Sequence, residues 1–174
     1  MTSPICASSD PPQVMRPLVD ALGSPSWSVR AKAVDALQAL GDVAVPSLVA
    51  GTTHPDARVR AESVALMDHL ADARCLDPLV AALHDRSAHV RRLAVHAIGC
   101  QRCKIAPLAL DIVGLLVERA LEDPSPRVRR VAVHQLGLQP ADQRAILALE
   151  TVLHGATDEA LRSRAEFALA QQRG

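Results

Sequence analysis

Val90-Arg91-Arg92-Leu93-Ala94-Val95-His96-Ala97-Ile98 and Val128-Arg129-Arg130-Val131-Ala132-Val133-His134-Gln135-Leu136 are one pattern written twice. Three looser copies run Val29–Leu37, Val59–Met67 and Leu161–Leu169, so the anchor residue recurs after 30, 31, 38 and 33 residues. Self-similarity at such a period is the mark of a repeat architecture. The first position is always apolar, the ninth always large and apolar, and the fifth is Ala33, Ser63, Ala94, Ala132 or Ala165. Positions one, five and nine fall on one face of a helix, and a small residue between two large ones lets a second helix come close. The second position is Arg in every copy; its stem is expected to lie along that face with the head reaching outward.

Three residues before each anchor stand Ser26, Asp56, Ser87, Ser125 and Asp158, all N-cap residue types. Each copy therefore opens a helix, here called helix B. A second helix, helix A, is expected upstream of each, over 13–22, 44–51, 75–83, 106–121 and 143–154. Three of these carry Pro near the start, at Pro17, Pro46 and Pro78, where a missing N–H costs little. Short breaks at Ser24-Pro25, His54-Pro55, Asp85-Arg86 and Asp123-Pro124 make each A and B antiparallel neighbours. The expected architecture is an all-α, right-handed α-solenoid of five helix pairs. Residues 1–12 are expected to be a flexible segment. A single domain then covers 13–172, with repeats near 13–42, 43–72, 73–103, 104–138 and 139–172.

The helix B pattern resembles the HEAT-like repeat family, in particular the short bacterial and phycobilisome-lyase type. That family's second helix reads Asp-x-x-x-x-Val-Arg-x-x-Ala-x-x-Ala-Leu. Asp85 to Ile98 and Asp123 to Leu136 follow it, except that Gln135 stands where Ala is expected. The resemblance implies the fold over about 13–172 and is nearly silent on activity.

Composition agrees. Of 174 residues 49% are hydrophobic, yet Trp27 and Phe167 are the only aromatics, so the core must be built from small aliphatic side chains. Lys plus Arg equals Asp plus Glu, at 19 each, which lacks the basic excess of a dedicated nucleic-acid binder. A chain of this size needs no disulfide staples, so Cys6, Cys75, Cys100 and Cys103 are expected as reduced thiols in a cytoplasmic protein. The N-terminus lacks the basic and apolar regions of a secretory signal. No uninterrupted apolar stretch approaches the roughly 20 residues of a membrane span.

Departures from the repeat are where function enters. The spacing of 38 places extra residues at Ile105–Gly114, as a longer helix A, a break near Gly114 or a protruding ridge. The fifth unit places Glu166 where others have Val, as a polar cap would. Trp27 opens the first helix B as a contact residue or a lid. Positions three and seven of helix B face away from the core, and in the third and fourth units they hold Arg92, His96, Arg130 and His134. With Leu93 and Val131 they form a candidate protein-binding groove suited to an acidic or mixed partner surface. Asp35, Ala65 and Phe167 do not extend it.

Catalytic motifs are missing: there is no Gly-rich phosphate loop, HExxH or GxSxG. Neither a cofactor nor a metal is expected. His96, Cys100 and Cys103 could give three zinc ligands, whereas structural zinc normally takes four. The resemblance also touches enzymes. Deoxyhypusine hydroxylase holds iron with His-Glu pairs, and no His is followed by Glu here. HEAT-like DNA glycosylases rely on aromatic and acidic side chains beside a basic track, and this nearly ring-free chain has little with which to stack a base. Bilin lyases of phycobilisomes contain such repeats. The expected function is a non-enzymatic protein-binding scaffold, with an enzyme or enzyme subunit of glycosylase or bilin-lyase type as the alternative.

Overall fold

The computed structural model describes residues 11–69, 73–100 and 108–174. Among them lie ten α-helices and no strand: α1 (Pro11–Ala21), α2 (Trp27–Leu40), α3 (Val45–Gly51), α4 (Ala57–Met67), α5 (Leu76–Ala82), α6 (Ala88–Gly99), α7 (Ile112–Glu122), α8 (Pro126–Gly137), α9 (Gln143–Gly155) and α10 (Glu159–Arg173). Two 3₁₀ turns, Gly41–Ala44 and Ala73–Cys75, lead into α3 and α5. Helices alternate between two layers. In the B layer α2 packs on α4, α4 on α6, α6 on α8 and α8 on α10; in the A layer α1 packs on α3 and α7 on α9. This is a stacked solenoid.

The small-and-large rule builds the core. Ala33, Ser63, Ala94, Ala132 and Ala165 are buried, as are Leu37, Met67, Ile98, Leu136 and Leu169. The anchors Val59, Val90, Val128 and Leu161 are buried too, but Val29 is 42% exposed, because among the described residues no B helix stacks on the outer side of α2. Both aromatics stay outside. Trp27 is 75% exposed, so it does not close over the first repeat as a lid would.

The run Trp27–Gly51, 25 residues with an 18-residue window of mean hydropathy 1.3, is long and apolar enough to cross a bilayer by length and composition. It is divided between α2 and α3, with Gly41 at φ 55° ending α2, and its Leu37, Val45 and Leu48 are buried in the array. A positive φ costs glycine little, which is why the break falls there.

Several local expectations change. The five cap positions begin α2, α4, α6, α8 and α10, but only Asp56 and Asp158 cap with their side chains, to Arg58 N and Ala160 N. Ser26, Ser87 and Ser125 make no such bond. At two turns Asp85 and Asp123 act instead, accepting from Ser87 N at 2.7 Å and Ser125 N at 2.8 Å. Pro17 sits inside α1, which starts at Pro11. The helix expected over 106–121 starts at Ile112, capped by Asp111, whose carboxylate accepts from Gly114 N at 3.1 Å. Gly114 breaks nothing: a Cβ there would stand 2.3 Å from that carboxylate, so glycine leaves room for the cap. The rest of the insertion, 105–107, lies outside the described residues, as do Cys6 and Cys103.

The arginine column also differs. Its heads do not reach outward; they turn back into the A–B turns. Arg30, Arg60, Arg91, Arg129 and Arg162 each donate to a backbone carbonyl of their own turn, at 2.7–2.9 Å. Arg60 and Arg91 go further and clasp the next turn with paired bonds, Arg60 to Asp85 at 2.7 and 2.9 Å and Arg91 to Asp123 at 2.8 and 3.0 Å. The planar fork of arginine suits both tasks.

Candidate protein-binding face

α6 and α8 lie side by side, so the outward pairs Arg92/His96 and Arg130/His134, each one helical turn apart, are adjacent rows. Arg92, Arg130, Val131 and His134 line one shallow depression of about 240 Å³. Arg127, from the first turn of α8, and Arg164, from α10, complete it. Four guanidinium groups therefore surround one aliphatic side chain and one imidazole. The sequence reading missed two of them. Arg164 occupies the fourth column, held elsewhere by Lys32, Glu62, Leu93 and Val131. Only adjacency of α8 and α10 brings it to the patch.

Local bonds leave much of this charge available. Arg130 Nε donates to Pro126 O at 3.3 Å and stands 3.8 Å from Asp158 Oδ2. Arg92 lies 3.3 Å from His89 Nδ1. Partial burial lowers the pKa of His134, and the charges of Arg164 and His96 lower it further. At neutral pH His134 is thus a neutral hydrogen-bonding ring among cations. The face offers forks for carboxylates around an apolar contact.

His96 and Leu93 do not line that depression. Leu93 is half-buried and packs against the core. His96 points to the preceding B helix: its Nε2 is 3.4 Å from Asp68 Oδ2, and its Nδ1 is 3.1 Å from Gln135 Nε2. Cys100, the C-cap residue of α6, lies beside them. The ligand atoms of Asp68, His96 and Cys100 are all within 4.8 Å of one another. Asp68 was not legible as a partner of His96, because the two belong to different repeats.

A stacked array of helix pairs with a basic B-helix face defines an α-solenoid of HEAT type. The chain belongs to the HEAT repeat family, whose model matches residues 5–67, 45–112 and 76–170. A comparison with curated proteins returned no match. Among solved structures, the complex of CpcE and CpcF of phycocyanin lyase from Nostoc sp. PCC7120 contains a similar chain, with TM-score 0.73 and 25% identity over 89% of this chain and 97% of that one. A designed armadillo repeat protein in complex with a (KR)4 peptide is similar at TM-score 0.63 and 24% identity, over 91% of this chain and 81% of that one. Computationally designed armadillo proteins for modular peptide recognition reach TM-score 0.56 at 22% identity, over 90% of this chain and 81% of theirs.

Proposed function

We propose that this chain is a non-enzymatic, cytoplasmic scaffold that binds an acidic segment of a partner protein on its B-helix face. The observation that carries this reading is the gathering of Arg92, Arg127, Arg130 and Arg164 around Val131 and His134 in a chain of zero net charge. Such a concentration has to be drawn from three different helices, and it matches carboxylates in geometry as well as sign. The likeness to a chain from the two-protein CpcE–CpcF complex supports a protein as the partner. Zero net charge disfavours nucleic acid.

The test is charge reversal. Arg92→Glu with Arg130→Glu should abolish binding of a labelled, glutamate-rich peptide and capture of the native partner, with the melting temperature unchanged. Undiminished binding by a folded double variant would overturn the reading.

One observation favours the second reading, an enzyme subunit of bilin-lyase type: the phycocyanin lyase chain is matched over nearly all its length. On that reading, mixing the purified protein with a linear tetrapyrrole shifts the pigment's visible absorbance. An unshifted spectrum, alone and with a partner subunit, counts against it.

A further inference from the structure

Polar side chains from three successive B helices and their ends meet at one point. Asp68 follows the last residue of α4 and is 3% exposed. His96 and Cys100 stand one turn apart at the end of α6. Gln135 of α8 is 2% exposed, where the corresponding positions hold Ala36, Leu66, Ala97 and Ala168. Gln135 Oε1 is buried among aliphatic side chains without a hydrogen-bond partner, which is costly unless something at this point turns the amide to use. We propose that Asp68, His96 and Cys100 form a binding site for a borderline divalent cation, with zinc as the best match.

The donor set is one oxygen, one nitrogen and one sulfur, the mixture that zinc accepts in tetrahedral sites with three protein ligands and a fourth position open to water. The geometry is close to that required. Two ligands about 2.1 Å from a tetrahedral zinc stand about 3.4 Å apart, and His96 Nε2 and Asp68 Oδ2 are 3.4 Å apart. The cysteine edge, within 4.8 Å, closes by rotation of the Cys100 side chain.

Gln135 supplies the outer support that a metal-bound imidazole needs. Ligation through Nε2 leaves the ring proton on Nδ1, which then requires an acceptor. Gln135 lies 3.1 Å from Nδ1 through its amide nitrogen, and its buried Oε1 has no hydrogen-bond partner. Turning the amide over presents that oxygen to the Nδ1 proton. The site also sits at the C-terminal ends of α4 and α6, where the helix dipoles favour a cation. On binding, the Cys100 thiol releases its proton to solvent and the thiolate joins the metal. Cys103 stands outside the described residues and is no part of the proposed site.

Cobalt(II) titration of the reduced, chelator-stripped full chain tests this. One cobalt per chain should bind, giving intense tetrahedral ligand-field bands and a thiolate-to-metal charge-transfer band, with zinc displacing it. Cys100→Ser should remove the charge-transfer band. Asp68→Asn and His96→Gln should each weaken binding tenfold or more, and Gln135→Ala by about tenfold through the lost support. His96 is 46% exposed, so its variant tests the site even if a change at buried Asp68 prevents folding. Absent bands overturn the proposal, as does a charge-transfer band that survives Cys100→Ser or an affinity that His96→Gln leaves unchanged.

Discussion

Arg91 and Asp123 form the most deeply buried of the turn clasps, with the carboxylate side chain wholly covered. Burial alone would raise the Asp123 pKa, but the Arg91 fork, the Ser125 N–H and the charges of Arg91 and Arg119 outweigh it and hold the carboxyl below its ordinary 3.8. The pair therefore depends on mutual satisfaction. Asp123→Ala strands a buried guanidinium and should cost about 3–5 kcal/mol in urea unfolding. Replacing both partners, as Arg91→Met with Asp123→Leu, should recover most of that loss. Equal destabilisation in the single and double variants would show that the clasp is not a coupled pair. Arginine in all five copies was legible as a column; its destination was not. Every head finds a carbonyl of its own turn, and whether it also clasps the next turn is decided by carboxylates at Asp85 and Asp123, which belong to the next repeat.

Helices α8 and α10 pack against each other through Gly137. A Cβ on Gly137 would stand 2.8 Å from both Cα and Cβ of Ala168, and that backbone cannot step aside cheaply. Gly137→Ala should cost about 1–3 kcal/mol in chemical denaturation by forcing the helices apart. Gly155, at the end of α9, would meet nothing within 4 Å, so Gly155→Ala should leave stability equal or slightly higher. Equal effects at the two sites would contradict the packing described. B helices were readable because two apolar columns, a small-residue column and a cap position agree in every copy. A helices were readable where Pro and an apolar run coincided, and at α9 from its apolar run alone. The start of α7 was missed because Asp111 and Gly114 make their cap across one turn, a pairing that periodicity does not register. The basic face was half legible: Arg92, Arg130, Val131 and His134 share a helical phase, whereas Arg127 and Arg164 enter from a helix start and a neighbouring helix.

Across the whole molecule, charge is placed at the turns and aliphatic bulk between them, which sets the response to acid. Asp85, Asp111, Asp123 and Asp142 are all held below 3.8 in the folded chain. For Asp85 burial pushes upward, but Arg60, the Ser87 N–H and Arg86 prevail; at Asp111 and Asp142 the lead is taken by Arg144, which bridges both. The unfolded chain takes up these protons first. Their stabilisation is thus complete well above 3.8 and is lost as pH falls through the lower folded values. His134, whose folded pKa is depressed below 6.5, has the same sign and removes a smaller share as pH drops through that range. Urea midpoints should fall modestly from pH 7 to 5 and steeply from 5 to 3; a midpoint that holds or rises at pH 3 would refute this. Trp27 has a consequence of its own. An indole that already stands in water loses little when the array comes apart, so the chain's intrinsic ultraviolet emission stays nearly mute through melting. The same indole, alone of its kind, would brighten and shift to the blue if anything settled against the start of α2, making that surface self-reporting.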